Sequence, residues 1–239
     1  MKTRTINAKQ LQDLTLTAVL AALVLLMSFT PLGYLKIGFV SITFLTIPVA
    51  IGAMVVGPSA GLFLGTLFGV TSLIQAIMGD PFGQMLLSMN PFLTGVLCIV
   101  PRALMGYLTG VLFKLYRKWI KGEKVLPMIA GGATASLLNT ILFIGGFIGF
   151  YLFYHNDPNF AETTVWGIIL SVLTLNVLIE LATGIVVSAA ASRALVQFLP
   201  GGKTHGVDRD EWYAETETSE PTANAEEAPT ETPEEEKND

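Results

Sequence analysis

Five polar residues stand out because they lie inside or beside long apolar runs. Arg102 and Glu180 are the only charged residues deep within such runs, and Asn139 and Asn176 also lie inside them. Asn90 lies at the outer end of a run. Polar groups inside a membrane are costly and usually face a cavity or a partner. The sequence therefore predicts either a buried ion pair between the two charges or a polar ligand site built from these residues.

The residue sets of common catalytic and metal centres are missing. His155 and His205 are the only histidines, and the topology given below places them on opposite sides of a membrane, where they cannot share a metal. Neither a His-Glu-x-x-His nor a Gly-x-Ser-x-Gly motif occurs. Cys98 is the only cysteine, which excludes an internal disulfide and a cysteine cluster. We therefore expect no enzyme, no metal site, no cofactor and no ATPase in this chain.

The composition indicates a membrane protein. Of the 239 residues, 51% are hydrophobic and only 14% are charged, whereas ordinary soluble domains have roughly 25% charged residues. The mean hydropathy is +0.58. These values exclude a disordered protein, a nucleic-acid binder with a basic face and most water-soluble enzymes.

Apolar runs of about 20 residues, the length needed to cross ~30 Å of hydrocarbon, define six predicted spans. They are residues 14–30, 40–56, 58–78, 91–115, 126–153 and 165–197. The predicted fold class is an all-α membrane protein with six transmembrane helices. This transmembrane domain occupies residues 13–200 and follows a short cytoplasmic segment at 1–12.

The lysines and arginines indicate the orientation in the membrane. They cluster before the first span (Lys2, Arg4, Lys9), between the fourth and fifth spans (Lys114, Arg117, Lys118, Lys121, Lys124) and after the sixth (Arg193, Lys203, Arg209). The positive-inside rule then places both termini in the cytoplasm. The loops at 31–42, 79–90 and 154–164 face outward, and most of their aromatic residues, which include Tyr34, are expected to be interfacial anchors.

The last part of the chain, residues 201–239, differs in composition. Residues 206–239 contain 13 of the 19 acidic residues, and Pro, Glu, Thr and Ala dominate. Because such a segment has too little apolar surface to offset the entropy of ordering, we expect a disordered acidic tail. A solvated spacer is favoured over a partner-binding role.

Two spans carry small residues at helical spacing. In span three, glycines recur every fourth residue and form a glycine stripe (Gly57, Gly61, Gly65, Gly69). This spacing favours close packing between helices of the same chain. In span one, Ala18 and Ala22 form a similar face. From spacing alone, this face suits either internal packing or docking to another membrane protein.

Short motifs in several spans resemble the substrate-binding S components of energy-coupling factor (ECF) vitamin transporters. They are Thr30-Pro31-Leu32-Gly33-Tyr34, Ile42-Thr43-Phe44-Leu45-Thr46-Ile47-Pro48-Val49, Gly57-Pro58, Phe68-Gly69-Val70-Thr71-Ser72, Pro101-Arg102-Ala103-Leu104-Met105-Gly106, Asn139-Thr140 and Asn176-x-x-x-Glu180. The resemblance covers about residues 10–200. Their order across six spans is more specific than any single motif.

The resemblance implies a multi-pass protein of the bacterial cell membrane that binds a vitamin from outside. It also implies partners: a transmembrane coupling subunit and two cytoplasmic ATPase subunits, which use the ATP. Docking to the coupling subunit would use Ala18 and Ala22. The substrate-binding pocket would lie toward the outer side, with Asn90, Arg102, Asn139, Asn176 and Glu180 as the candidate residues.

Among S components, the sequence is most similar to the pantothenate type. Arg102 suits the carboxylate of such a vitamin, and asparagines suit its hydroxyl and amide groups. Glu180 would repel that carboxylate unless it pairs with Arg102 or turns away. Folate, hydroxymethylpyrimidine and riboflavin remain alternative substrates of the same role. A stand-alone secondary carrier and a membrane scaffold with a partner-binding tail remain alternative functions.

Overall fold

The computed structural model describes residues 8–31, 33–37, 40–120, 125–154, 178–186 and 190, and this part of the chain is mostly helical. Its helices are α1 (Ala8–Ser28), α2 (Thr46–Val55), α3 (Pro58–Met78), α4 (Pro81–Met89), α5 (Pro91–Trp119) and α6 (Val125–Tyr154). Strands β1 (Tyr34–Ile37) and β2 (Val40–Thr43) form an antiparallel hairpin between α1 and α2. Residues 178–186 are also helical and fall within the predicted sixth span.

Four of the described helices, α1, α3, α5 and α6, are long and apolar enough to cross a membrane. The 21 residues of α3 extend about 32 Å, close to the ~30 Å of a bilayer core. Their outer surfaces expose large hydrophobic side chains such as Leu26, Phe63 and Phe153. Helices with apolar residues on their outer faces suit lipid rather than water. The chain is therefore a membrane protein, as the composition predicted.

Three of the helices start at a proline at their first position, where the missing N–H has no helical partner to lose. These prolines are Pro58, Pro81 and Pro91. Before α4, the Asp80 carboxylate accepts a hydrogen bond from the Gly83 N–H at 2.9 Å. Before α5, the Asn90 side chain accepts one from the Leu93 N–H at 3.0 Å. Both side chains act as N-caps.

Helices α3 and α5 pack closely along a glycine seam formed by Gly61, Gly65 and Gly69 of α3 against the α5 backbone. A Cβ atom added at Gly61 would lie 2.3 Å from the carbonyl oxygen of Gly106. One added at Gly65 would lie 2.2 Å from the carbonyl oxygen of Arg102. Because no side chain fits at these distances, the predicted use of the stripe for internal packing is confirmed.

Gly57, the first residue of the predicted glycine stripe, has a different role. A Cβ atom added there would meet no atom within 4 Å, so close packing does not require glycine at this position. Its φ is +136°, a conformation that residues with a Cβ rarely adopt. Gly57 is therefore needed for the turn before α3, and its assignment to the packing stripe was wrong.

The second predicted span, residues 40–56, is not a continuous helix. Its first four residues form β2, and α2 has only 10 residues. Helix α2 therefore extends about 15 Å, half of the hydrocarbon thickness. Hydropathy misled here because a short apolar run does not distinguish a buried strand from a helix. The predicted outward loop at 79–90 also differs, since it contains α4.

Two apolar clusters flank the centre of the described structure. The larger includes side chains with no exposed surface from α1, α2, α3 and α5 (Val24, Val49, Leu64, Phe68, Met105). The smaller joins α4, α5 and α6 (Leu86, Leu97, Phe147, Phe150). Arg102 lies beside Phe68 of the larger cluster and beside Phe143, which packs on the smaller one. The two clusters thus place a charged residue between them.

Several predictions concern residues outside the described ranges. They are the acidic tail at 201–239, the loop at 155–164 and most of the sixth span. The cytoplasmic position of both termini also stays a prediction.

Candidate functional site

Arg102 is positioned by an interruption in its own helix. Pro101 has no N–H, so the carbonyl of Leu97, four residues earlier, lacks its usual helical donor. The Arg102 Nη1 donates a hydrogen bond to that carbonyl oxygen at 2.8 Å. Pro101 and Arg102 therefore act together, because the proline frees an acceptor and the arginine binds it.

Two aromatic rings contact the Arg102 guanidinium. Its Cζ lies 4.8 Å from the ring centroid of Phe143 on α6 and 5.7 Å from that of Phe68 on α3. Ring faces attract a cation at these distances. The Nε atom is buried and has no hydrogen-bond partner in the described part of the chain. Arg102 is therefore held in place, and its Nε–H has no acceptor among the described residues.

Glu180 connects three elements and is almost fully buried, with 1% of its surface exposed. Its Oε2 accepts a hydrogen bond from the Asn139 Nδ2 of α6 at 3.1 Å. Its Oε1 accepts from the backbone N–H of Thr43 at the end of β2, at 3.4 Å. Its backbone carbonyl accepts from the Ser136 hydroxyl at 2.8 Å. The hairpin, α6 and residues 178–186 therefore meet at this side chain.

The two charges deep in the predicted spans do not bind each other. Arg102 interacts with a backbone carbonyl and two rings, whereas Glu180 accepts from an amide and a backbone N–H. Within the described ranges, no ion pair joins them. The interpretation as a buried structural ion pair is therefore not supported. The Glu180 carboxylate accepts from Asn139 and does not pair with Arg102, so the first of the two conditions for Arg102 to receive an anion is not met.

Three buried polar atoms lack a hydrogen-bond partner among the described residues: Arg102 Nε, Asn139 Oδ1 and Thr140 Oγ1. Asn139 and Thr140 are each only 4% exposed. Buried polar groups are nearly always hydrogen-bonded in folded proteins. One donor and two oxygens left without partners therefore indicate a place for a polar molecule. We call Arg102, Asn139, Thr140 and Glu180 the polar site.

Non-helical backbone reaches the polar site from the hairpin. The hairpin ends at Thr43, whose N–H contacts Glu180, and α2 begins only three residues later. In membrane proteins, irregular backbone inside the bilayer occurs where it is buried in protein or lines a cavity. Thr43 is only 8% exposed, so the hairpin end beside Glu180 is buried in protein.

Tyr34 at the start of β1 lies near the polar site. Its hydroxyl is 3.3 Å from the Ser72 hydroxyl of α3. Burial raises the pKa of the Tyr34 phenol above its ordinary value, while the Ser72 hydrogen bond and the charge of Arg102 oppose this shift. The phenol therefore stays neutral at physiological pH. Tyr34 packs into the protein, so it is an exception to the expectation that most aromatic residues of the outward loops are interfacial anchors.

A hydrogen-bond cluster next to Tyr34 joins α1 to α3. The Ser28 hydroxyl donates to the Thr71 hydroxyl at 2.9 Å, and the Gln75 side chain donates to the Ser28 carbonyl. The cluster therefore fixes the end of α1 beside the hairpin.

Of the five predicted site residues, Asn139 and Glu180 are joined by a hydrogen bond, and Arg102 contacts the same helix α6 through Phe143. Asn90 caps α5 at a helix end, and Asn176 lies outside the described residues. Sequence reasoning did not include Thr140 or the Thr43 backbone among the site residues. Asn139-Thr140 was visible as a motif, but its unpartnered hydroxyl becomes apparent only from the packing.

Ala18 and Ala22 lie on an open face of α1. Both are exposed, whereas Leu20 and Val24 on the other face are buried in the core. Only 17% of the most apolar window of α1 is buried, less than in the other three long helices. Within the described residues, this face therefore does not serve internal packing.

Comparisons with known proteins agree with the motifs and the helices. The model of the family "ECF transporter, substrate-specific component" matches residues 12–191. The chain is also 30% identical over 193 residues to a protein of Leuconostoc mesenteroides subsp. mesenteroides named pantothenate transporter PanT, covering 77% of this chain and 91% of that protein. The chain therefore belongs to the substrate-specific components of ECF transporters.

Proposed function

We propose that this chain binds pantothenate from outside and delivers it inward as the S component of an ECF importer. The polar site carries this proposal, because within the described residues its unpartnered atoms are a cationic donor on α5 and two oxygens on α6. Pantothenate has a carboxylate at one end, an amide in the middle and two hydroxyls at the other end. The name of the Leuconostoc relative supports the same substrate.

In this proposal the vitamin carboxylate binds Arg102, whose charge the protein does not neutralise with a carboxylate of its own in the described ranges. A charge-assisted hydrogen bond from a guanidinium is stronger than one between neutral groups. The hydroxyl and amide groups then reach Asn139 and Thr140. Glu180 keeps its own charge, but its oxygens are directed at Asn139 and the hairpin backbone and not at Arg102.

The remaining assignments extend the same proposal. The chain crosses the bacterial plasma membrane six times, with residues 1–12 and the tail at 201–239 in the cytoplasm. A transmembrane coupling subunit and two ATPase subunits complete the importer, and those subunits use the ATP. The chain itself holds no cofactor. The exposed Ala18 and Ala22 face of α1 docks on the coupling subunit.

The substrate is tested by calorimetry on the purified protein in nanodiscs, titrated separately with pantothenate, folate, riboflavin and hydroxymethylpyrimidine. We expect tight one-to-one binding of pantothenate only. Tight binding of another vitamin would keep the role and replace the substrate. Absence of binding to all four would contradict the role. It would favour a secondary carrier, whose uptake depends on an ion gradient and not on an ATPase.

Docking is tested by placing a tryptophan on the exposed alanines. Ala18→Trp and Ala22→Trp should leave pantothenate binding unchanged and abolish uptake in proteoliposomes that contain the coupling subunit and ATPases, because bulk prevents close helix contact. Ile141→Trp is the matched control, since Ile141 is 62% exposed on α6. Normal uptake by both alanine variants would show that this face does not dock.

A further inference from the structure

Asn139 can offer a ligand either a hydrogen-bond acceptor or a hydrogen-bond donor. An asparagine side chain has a carbonyl oxygen that accepts and an NH₂ that donates. Which of them faces a neighbouring molecule depends on what binds the other. Asn139 is 4% exposed, and its Oδ1 has no partner among the described residues. Its orientation therefore determines which ligand groups it recognises.

Glu180 determines that orientation. Both oxygens of the Glu180 carboxylate accept hydrogen bonds, the pattern that an ionised carboxylate makes, and the Thr43 N–H that reaches Oε1 is always a donor. The NH₂ group of Asn139 lies 3.1 Å from Oε2. Were the Asn139 amide reversed, two oxygens would face each other at this distance. The carboxylate therefore holds the Asn139 NH₂ and turns Oδ1 away from itself.

We propose that Glu180 is a positioning residue that makes Asn139 an obligatory acceptor, so that the polar site selects a ligand group that donates a hydrogen bond. This inference rests on the proposed pantothenate site. Arg102 selects the carboxylate, and Asn139 Oδ1, beside the Thr140 hydroxyl, selects a hydroxyl or an amide N–H. A ligand of the same shape with only an acceptor there leaves a buried oxygen unpaired and is rejected.

The ligand side of this inference is tested with three analogues of pantothenate on the unmodified protein in nanodiscs. In two of them one hydroxyl is replaced by fluorine, and in the third an ester replaces the amide, so that each lacks one donor. We expect one analogue to bind at least about tenfold more weakly than pantothenate, because it leaves Asn139 Oδ1 unpaired. Near-equal binding of all three would overturn the inference without the use of any variant.

The protein side is tested with Glu180→Gln. The Thr43 N–H can donate only to the carbonyl oxygen of the new glutamine, so the glutamine NH₂ faces Asn139. The Asn139 side-chain amide then rotates so that its Oδ1 accepts a hydrogen bond from that NH₂. The site then presents a donor. We expect the preference for pantothenate over the sensitive analogue to disappear or invert, while the other two analogues keep their relative affinities.

Ser136→Ala is the matched control. It removes a hydrogen bond to the Glu180 backbone carbonyl and leaves the carboxylate in place. It should lower thermal stability without changing the preference among analogues. A Glu180→Gln variant that weakens pantothenate and all analogues by the same factor would show that Glu180 has a merely structural role. If pantothenate does not bind the unmodified protein, the proposed function fails, and this inference fails with it.

Discussion

The glycine seam between α3 and α5 and the polar site beside it are both buried, but they are built in opposite ways. At the seam, backbone meets backbone so closely that even a methyl group has no room. At the polar site, three polar atoms lack partners in the described structure. A protein interior normally fills its space and pairs its polar groups. The seam follows both rules and supports the fold, whereas the polar site breaks the second and, under the proposed function, leaves those bonds for a ligand.

Arg102 belongs to both regions. Its backbone carbonyl faces Gly65 across the seam, and its side chain belongs to the polar site, with Nε unpaired among the described residues. The seam therefore fixes the position of the Arg102 backbone, from which its side chain extends to the polar site. Changes at the seam should affect folding, and changes at the polar site should affect affinity.

The largest effect is expected for Gly65→Leu. The new side chain would overlap the Arg102 carbonyl, and rigid helix backbones on both sides have little room to adjust. We expect almost no folded protein by size-exclusion chromatography in detergent. Gly145→Leu is the control, because an added Cβ at Gly145 meets nothing within 4 Å. Normal yield and thermal stability of Gly65→Leu would contradict the close contact at the seam.

Arg102→Ala should abolish most of the affinity while the protein stays folded. We expect the Kd for pantothenate to rise about 100-fold or more, since a charge-assisted contact to a buried anion is lost. Arg102→Lys should recover only part of the loss, because lysine keeps the charge but lacks the planar fork. Calorimetry measures both, with Lys118→Ala on the exposed end of α5 as the control. Unchanged affinity in Arg102→Ala would remove Arg102 from the site.

Thr140→Val should change stability and affinity in opposite directions. The unliganded protein should gain about 1 kcal/mol of stability, because a buried hydroxyl without a partner is removed. The Kd for pantothenate should rise about tenfold, because the ligand loses a hydrogen-bond partner. Thermal unfolding with and without the vitamin measures both. A loss of stability in the unliganded protein would show that the hydroxyl has a structural partner.

Pro101→Ala should have the smallest effect. The new N–H supplies the Leu97 carbonyl with its helical donor, so Arg102 no longer has that acceptor to itself. We expect a helix that is at least as stable and a Kd that rises about threefold, because the guanidinium is less firmly placed. Calorimetric titration with pantothenate, run in parallel with Arg102→Ala, measures this change. An effect as large as that of Arg102→Ala would mean that the proline has a further role.

The features that could be predicted from the sequence are those with a local or energetic signature. Charged groups inside apolar runs are costly wherever they lie, which singled out Arg102 and Glu180. Glycines every fourth residue share a helix face regardless of their partner, which predicted the seam. Each of these signals needs only spacing or composition.

The partners of these groups could not be predicted in this way. Thr43 and Glu180 are 137 residues apart, and no local pattern connects them. Threonines in apolar helices commonly bond their own backbone, as Thr134 and Thr183 do. The unpartnered Thr140 is therefore visible only in three dimensions. In contrast, Asp80-Pro81 is a readable helix start. The nine residues of α4 are too few to form a predicted span, so this helix was not among the predicted elements.

The hydrogen bond from the Thr43 N–H to Glu180 has a consequence for thermodynamics. It joins the hairpin to the residue that contacts Asn139, so under the proposed function occupancy of the site and placement of the hairpin belong to one equilibrium. Thermodynamic reciprocity then requires that any free energy by which a bound ligand stabilises this placement of the hairpin returns as affinity for that ligand.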